Sequence, residues 1–74
     1  MKKLIAVDMI TGKEHKIELD LQADIMLVDG VNVERKQELE EENQFVYRIK
    51  GGNQFDPLFQ FSRQTIEDLK AQAK

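Results

Sequence analysis

The sequence contains no cysteine and a single histidine, His15. Without cysteine the chain has neither a disulfide framework nor a thiolate metal cluster, and structural zinc sites are built from Cys and His ligands. The sequence therefore predicts no metal and no other cofactor. A small domain without such staples has to obtain its stability from good packing or from association with another chain.

Long hydrophobic runs are also absent. The apolar stretch after Lys3 stops at Asp8, short of the roughly 7–15 residues that form the core of a signal peptide. No stretch approaches the ~18 apolar residues of a membrane span. We therefore expect a cytoplasmic protein that has no membrane partner.

Basic residues are outnumbered by acidic ones, and the net charge is -3 at pH 7. Because nucleic-acid binding normally rests on a basic patch, this balance does not favour a nucleic-acid partner. Hydrophobic residues make up 41% of the chain, more than a disordered segment would contain. We expect one folded domain, residues 1–74.

Alternation of apolar and polar residues dominates the chain up to residue 61 and predicts strands. The predicted fold class is α+β and mainly β: a small antiparallel sheet or partly open barrel closed by a C-terminal helix, 63–73. Strands are expected at 4–10, 15–21, 25–28, 31–35 and 44–50, with a short one at 58–61. Residues 36–43 break the pattern and are expected to form either a loop or a short helix.

Two hairpins are predicted in the first half of the chain. In the first, the two apolar strand faces are expected to coincide: Ile5, Val7 and Met9 with Ile17, Leu19 and Leu21. This requires an odd number of loop residues, and a loop at 11–13 would set Asp8 opposite Lys16. In the second, Asp29-Gly30 predicts a type I′ turn. The resulting pairs are Val28 with Val31, Met26 with Val33 and Asp24 with Arg35.

The start of the helix carries a local signal. Ser62 is expected to be the N-cap, and Phe61 is expected to pack on Ile66 four residues after the cap, as in a hydrophobic staple. The helix has only a narrow apolar stripe, so it is expected to cover one face or end of the sheet.

Residues that carry chemistry are few. His15 is the natural proton shuttle at neutral pH, but no motif brings a nucleophile to it, so we expect an exposed hairpin histidine and no enzyme. A small enzyme would need a cleft that sets His15 against a carboxylate. The densest acidic group lies in the irregular segment and has no calcium-loop spacing; its members are Glu38, Glu40, Glu41 and Glu42.

The five aromatic residues fall within seventeen positions: Phe45, Tyr47, Phe55, Phe59 and Phe61. Phe55 is the exception among them, because it lies in a loop between Gly52 and Pro57. It either packs back onto the core or is displayed as an anchor for a partner.

The leading hypothesis is a non-catalytic protein–protein interaction module, such as an adaptor, an accessory or assembly component, or an inhibitor. The residues proposed to meet the partner are Phe55, Asp56, Glu38, Glu40, Glu41 and Glu42. A homodimer is a further expectation, since open sheet edges and a narrow helix stripe leave surface that a second copy could cover.

The alternative is a small barrel that binds single-stranded nucleic acid. Such barrels stack bases on aromatic side chains in a basic groove. The residues that would serve here are Tyr47, Arg48 and Lys50.

Overall fold

A computed structural model describes residues 2–74 as a six-stranded antiparallel sheet and one helix. The elements are β1 (Lys2–Val7), β2 (Glu14–Asp20), β3 (Ile25–Val28), β4 (Val31–Arg35), β5 (Gln44–Ile49), β6 (Leu58–Ser62) and α1 (Arg63–Ala73). Each strand lies beside its neighbours in the chain, in the order β1-β2-β3-β4-β5-β6. The predicted fold class is confirmed, and the sheet is open rather than closed into a barrel.

The two edge strands approach each other at one end. Just beyond β1, the Met9 N–H donates to the carbonyl oxygen of Gln60 in β6 at 2.8 Å. The helix α1 contacts β1, β2, β5 and β6, and so lies against both edges of the sheet. The curled sheet and the helix enclose one core, formed by Ala6, Ile17, Met26, Val28, Val33, Phe45, Tyr47, Phe61, Ile66 and Leu69.

The second hairpin has the predicted register. Val28 pairs with Val31 and Met26 with Val33, and the turn residues Asp29 and Gly30 have φ of 53° and 82°. Positive φ at both turn positions is what a type I′ turn requires. The ladder ends at the Met26–Val33 pair. Asp24 lies beyond it, where the backbone has turned to a φ of 55°, so the predicted pairing of Asp24 with Arg35 is not part of the ladder.

The predicted register of the first hairpin is wrong. The structure pairs Ile5 with Lys16 and Val7 with Glu14, so six residues, 8–13, separate β1 from β2. An even loop reverses the faces. The expected partner of Lys16, Asp8, has left the sheet to accept backbone hydrogen bonds.

The reversed register changes which side chains reach the core. Leu4 pairs with Ile17 and Ala6 with His15 on the inner face. Three residues predicted to be in the core are about half exposed instead: Ile5 and Val7, which face outward, and Met9, which lies in the turn beyond β1. Leu21 was expected on the core face of β2, but it lies beyond the end of that strand and is 42% exposed.

The helix begins and ends at the predicted residues. The Ser62 Oγ accepts a hydrogen bond from the Thr65 N–H at 3.1 Å, as an N-cap does. Phe61 and Ile66, the two residues of the staple, are both buried in the core. Between β4 and β5 the structure contains a short 3-10 turn, Gln37–Leu39. No helix within residues 2–74 has the length and apolarity to cross a membrane.

Candidate functional site

Three connections lie together at one end of the sheet, which we call the loop end. In an up-and-down meander every second connection returns to the same end, so residues 8–13, 29–30 and 50–57 meet there. The exposed apolar side chains in or directly beside these connections are Val7 (49% exposed), Met9 (48%), Ile10 (63%), Val31 (40%) and Phe55 (85%). The remaining connections and the start of α1 lie at the opposite end.

Phe55 is displayed and does not pack back onto the core. Its exposed fraction is the highest of the exposed large hydrophobic residues within the described chain. Both possibilities were open from the sequence. The structure decides for display.

The loop that carries Phe55 is held by its own hydrogen bonds. The Phe55 N–H donates to Asn53 Oδ1 (2.8 Å), and the Asn53 N–H donates to Asp56 Oδ2 (2.9 Å). Gly52 is required beneath this contact, because a Cβ there would collide with the Asp56 carboxylate and lie 3.0 Å from the carbonyl oxygen of Ile49. Asp56 thus supports the loop, while Phe55 is presented by it.

The acidic segment also contains both exposed residues and a residue that supports the local structure. Glu38, Glu41 and Glu42 are exposed. The side chain of Glu40 is only 8% exposed. It accepts two hydrogen bonds from Arg35, each at 2.8 Å, and a third from the Val46 N–H at 3.0 Å. Glu40 therefore ties the segment to β4 and β5, and three carboxylates remain at the surface.

The acidic segment and the Phe55 loop do not form one site. Residues 36–43 precede β5 and residues 50–57 follow it. The two groups are separated by the length of that strand, about 17 Å at roughly 3.4 Å per residue. A partner that met both surfaces would have to span one side of the molecule.

The three residues of the nucleic-acid alternative do not share an exposed surface. Tyr47 is 8% exposed within the core, and burial raises its pKa to about 12. Arg48 is half-buried, and its Nε is enclosed without a hydrogen-bond partner among residues 2–74. Lys50 is exposed. The Tyr47 ring thus offers no free face on which a base could stack.

His15 was expected to be exposed but is largely buried, with 12% of its side chain accessible. The even loop turns it toward the core, where its ring lies edge-on to Phe59 and Phe61. Its Nδ1 lies 2.7 Å from Asp29 Oδ2. Sequence reasoning missed this contact because it depends on the register of the first hairpin.

The enzyme alternative requires a cleft that sets His15 against a carboxylate. His15 does lie against the Asp29 carboxylate, but this pair lines neither of the two surface clefts formed by the described residues. The two clefts have volumes of ≈ 630 and ≈ 570 Å³. The first lies at the end of the sheet opposite the loop end, and the second extends as far as Lys50. The pair instead ties the β3–β4 turn to β2, since Asp29 Oδ1 also accepts the Lys16 N–H at 2.9 Å.

Three acidic groups make the folded state sensitive to acid. Burial raises the pKa of Asp8, but its backbone donors outweigh this and the pKa is lowered. The hydrogen bond from His15 lowers the pKa of Asp29, and that from Arg35 lowers the pKa of Glu40. The folded state therefore binds fewer protons than the unfolded state as the pH falls.

We expect the urea midpoint to hold between about pH 7 and 5 and to fall below about pH 4. The stabilisation by these carboxylates is complete above their unfolded pKa values and is lost as the pH falls through the lowered, folded ones. Urea titrations followed by circular dichroism across this range measure it. A midpoint that rose or stayed constant down to about pH 2 would show that the three groups do not contribute.

Comparison with known proteins identifies no relative: no family model matches the chain, and no curated protein and no solved structure matches it. The function is therefore argued from the surfaces described above.

Proposed function

We propose that this protein is a non-catalytic protein-binding module of the cytoplasm, an adaptor, assembly component or inhibitor, that holds its partner through the loop end. The observation that carries the proposal is the 85% exposure of Phe55 on a hydrogen-bonded loop.

An exposed phenylalanine suits this role for an energetic reason. Aromatic side chains bury a large apolar area with few rotatable bonds, and a small number of such anchors supply most of the binding energy of an interface. Isolated exposed apolar residues are common on protein surfaces. What distinguishes Phe55 is that Asn53, Asp56 and Gly52 hold its loop in one conformation.

A preformed loop lowers the cost of binding, because less conformational entropy is lost when the partner orders it. Ile10 and Val31 lie at the same end and would add apolar area around the anchor. Glu38, Glu41 and Glu42, at the other end of β5, form a second proposed contact surface for a basic region of the partner.

The test compares the wild-type protein with Phe55→Ala in affinity purification from the native cell, followed by titration of each captured protein in purified form. We expect Phe55→Ala to weaken binding by about thirty-fold, the effect of losing one hot-spot aromatic. Leu21→Ala is the matched control, since Leu21 is an exposed apolar residue, 42% accessible, at the opposite end of the sheet and outside both proposed contact surfaces.

A further variant distinguishes the contribution of the Phe55 ring from that of the hydrogen bond that holds its loop. Asn53→Ala keeps the phenylalanine and removes the acceptor of its N–H, so it is expected to weaken binding by less than Phe55→Ala. If every partner bound Phe55→Ala and Leu21→Ala as tightly as the wild type, Phe55 would not be an anchor.

A further inference from the structure

The edge strand β1 is apolar on both faces. Leu4 and Ala6 face the core, whereas Ile5 and Val7 project from the outer face and are 57% and 49% exposed. Met9, 48% exposed, follows in the turn beyond the strand. We call these three residues the outer stripe. In antiparallel sheets a water-facing surface is normally polar, and strands that are apolar on both sides are usually covered on both sides. The outer stripe therefore has the composition of a covered surface.

The charges beside the stripe alternate in sign. On the outer face, Ile5 pairs with Lys16 and Val7 pairs with Glu14. Both charged residues are exposed. Within residues 2–74 neither has an oppositely charged group within 4 Å, since the ion pairs join His15 to Asp29, Arg35 to Glu40 and Lys36 to Glu34. The same outer face carries a second pair of opposite charges, Lys3 and Glu18, at the far end of β1. An apolar row with the cation Lys16 and the anion Glu14 beside it is complementary to a copy of itself.

We propose that the outer faces of β1 and β2 form the interface of a symmetric homodimer. A two-fold axis in the plane of the interface, at right angles to the strands, would pass between the Ile5–Lys16 and Val7–Glu14 pairs. It sets Val7 on the partner's Ile5, and Glu14 on the partner's Lys16. Such an interface is isologous, so each apolar contact and each ion pair occurs twice.

A weak dimer requires only a small share of the surface. A specific interface buries at least about 1,000 Å² in total, which is about 500 Å² from each copy. This is roughly a tenth of the 5064 Å² surface of the chain. The dimer proposal does not rest on the protein-binding proposal, because Phe55 lies between β5 and β6, outside the two strands of the interface.

The test is sedimentation velocity of the whole chain from about 5 to 500 μM, the range in which an interface of this size is expected to dissociate. We expect a monomer–dimer equilibrium for the wild type. Val7→Lys, which puts a charge in the centre of the stripe, is expected to weaken dimerisation at least about tenfold. Leu21→Lys is the matched control, because Leu21 is 42% exposed outside the interface.

A charge exchange tests the symmetry itself. Lys16→Glu sets like charges against each other across the axis and is expected to weaken the dimer, whereas Glu14→Lys combined with Lys16→Glu restores the opposite pairing and the association. If circular dichroism shows that Val7→Lys does not fold, these two charge variants still test the proposal. Phe55→Ala is expected to dimerise like the wild type.

If the wild-type chain stayed monomeric over the whole concentration range, the proposal would be overturned. The outer stripe would then be a surface for a different protein. Loss of the dimer in Phe55→Ala or Leu21→Lys would also overturn the proposal, because the interface would then lie elsewhere. Failure of the double exchange to restore association would exclude the two-fold arrangement.

Discussion

Replacing Asp8 by alanine is expected to lower the free energy of unfolding by about 3 kcal/mol, near 1 kcal/mol for each backbone donor left without an acceptor. The residue is 2% exposed. One carboxylate oxygen accepts the N–H groups of Ile10 and Thr11 at 2.8 and 3.0 Å. The other accepts the Gln60 N–H of β6 at 3.0 Å, so Asp8 joins the first loop to the last strand.

Asp20→Ala is a matched control within the same chain. Asp20 accepts the N–H groups two and three residues ahead, those of Gln22 and Ala23, both at 3.1 Å. It has the local bonds of Asp8 without the bond to a distant strand, and its turn is exposed. We expect its replacement to cost no more than about 1 kcal/mol.

Urea denaturation at pH 7 and thermal melting measure both variants. For a chain of this length, 3 kcal/mol corresponds to a fall in Tm of roughly 12–24 °C. Equal losses for the two variants would mean that the bond from Gln60 to Asp8 adds nothing to stability.

Glu40→Ala is expected to cost about 2 kcal/mol, because it removes two charge-assisted hydrogen bonds to Arg35 and leaves the N–H of the buried Val46 without its acceptor. The Arg35 guanidinium lies 4.3 Å from the centre of the Phe45 ring, and the two hydrogen bonds that it donates to Glu40 fix it there. Loss of the carboxylate also releases Val46 N–H, which holds the irregular segment to β5.

Glu41→Ala is the control for this change. Glu41 belongs to the same acidic run but is exposed, and surface substitutions of this kind usually change stability by less than about 0.5 kcal/mol. Chemical denaturation compares the two variants directly. If Glu40→Ala and Glu41→Ala were equally stable, the contacts of the Glu40 side chain would not stabilise the fold. Glu40 would then behave as a surface residue, as the acidic pattern alone predicted.

Local signals predicted the elements well. The Asp29-Gly30 turn and the Ser62 cap depend on the backbone preferences of neighbouring residues, so the second hairpin and the start of the helix followed from a few positions. Strands β3 and β4 and helix α1 have the predicted bounds. Turn and capping chemistry act over two to four residues, a range that a sequence displays directly.

Long-range contacts decided the rest. Residues 4–7 are apolar on both faces of a strand, so alternation could not say which face is buried. In the structure the strand ends at Val7 and Asp8 binds Gln60, fifty-two positions away. That contact gives the even loop, turns His15 inward to Asp29 and leaves Ile5, Val7 and Met9 outside.

The same distinction between local signals and long-range contacts applies to the candidate site residues. The sequence by itself singled out Phe55 as a loop aromatic and the glutamates as a dense acidic run. It could not distinguish Glu40 from its neighbours, or display of Phe55 from packing, because both depend on which groups from other strands come within hydrogen-bonding or packing distance. Those neighbours exist only once the sheet has formed: Arg35 and Val46 enclose Glu40, and Asn53 and Asp56 hold the loop from which Phe55 projects.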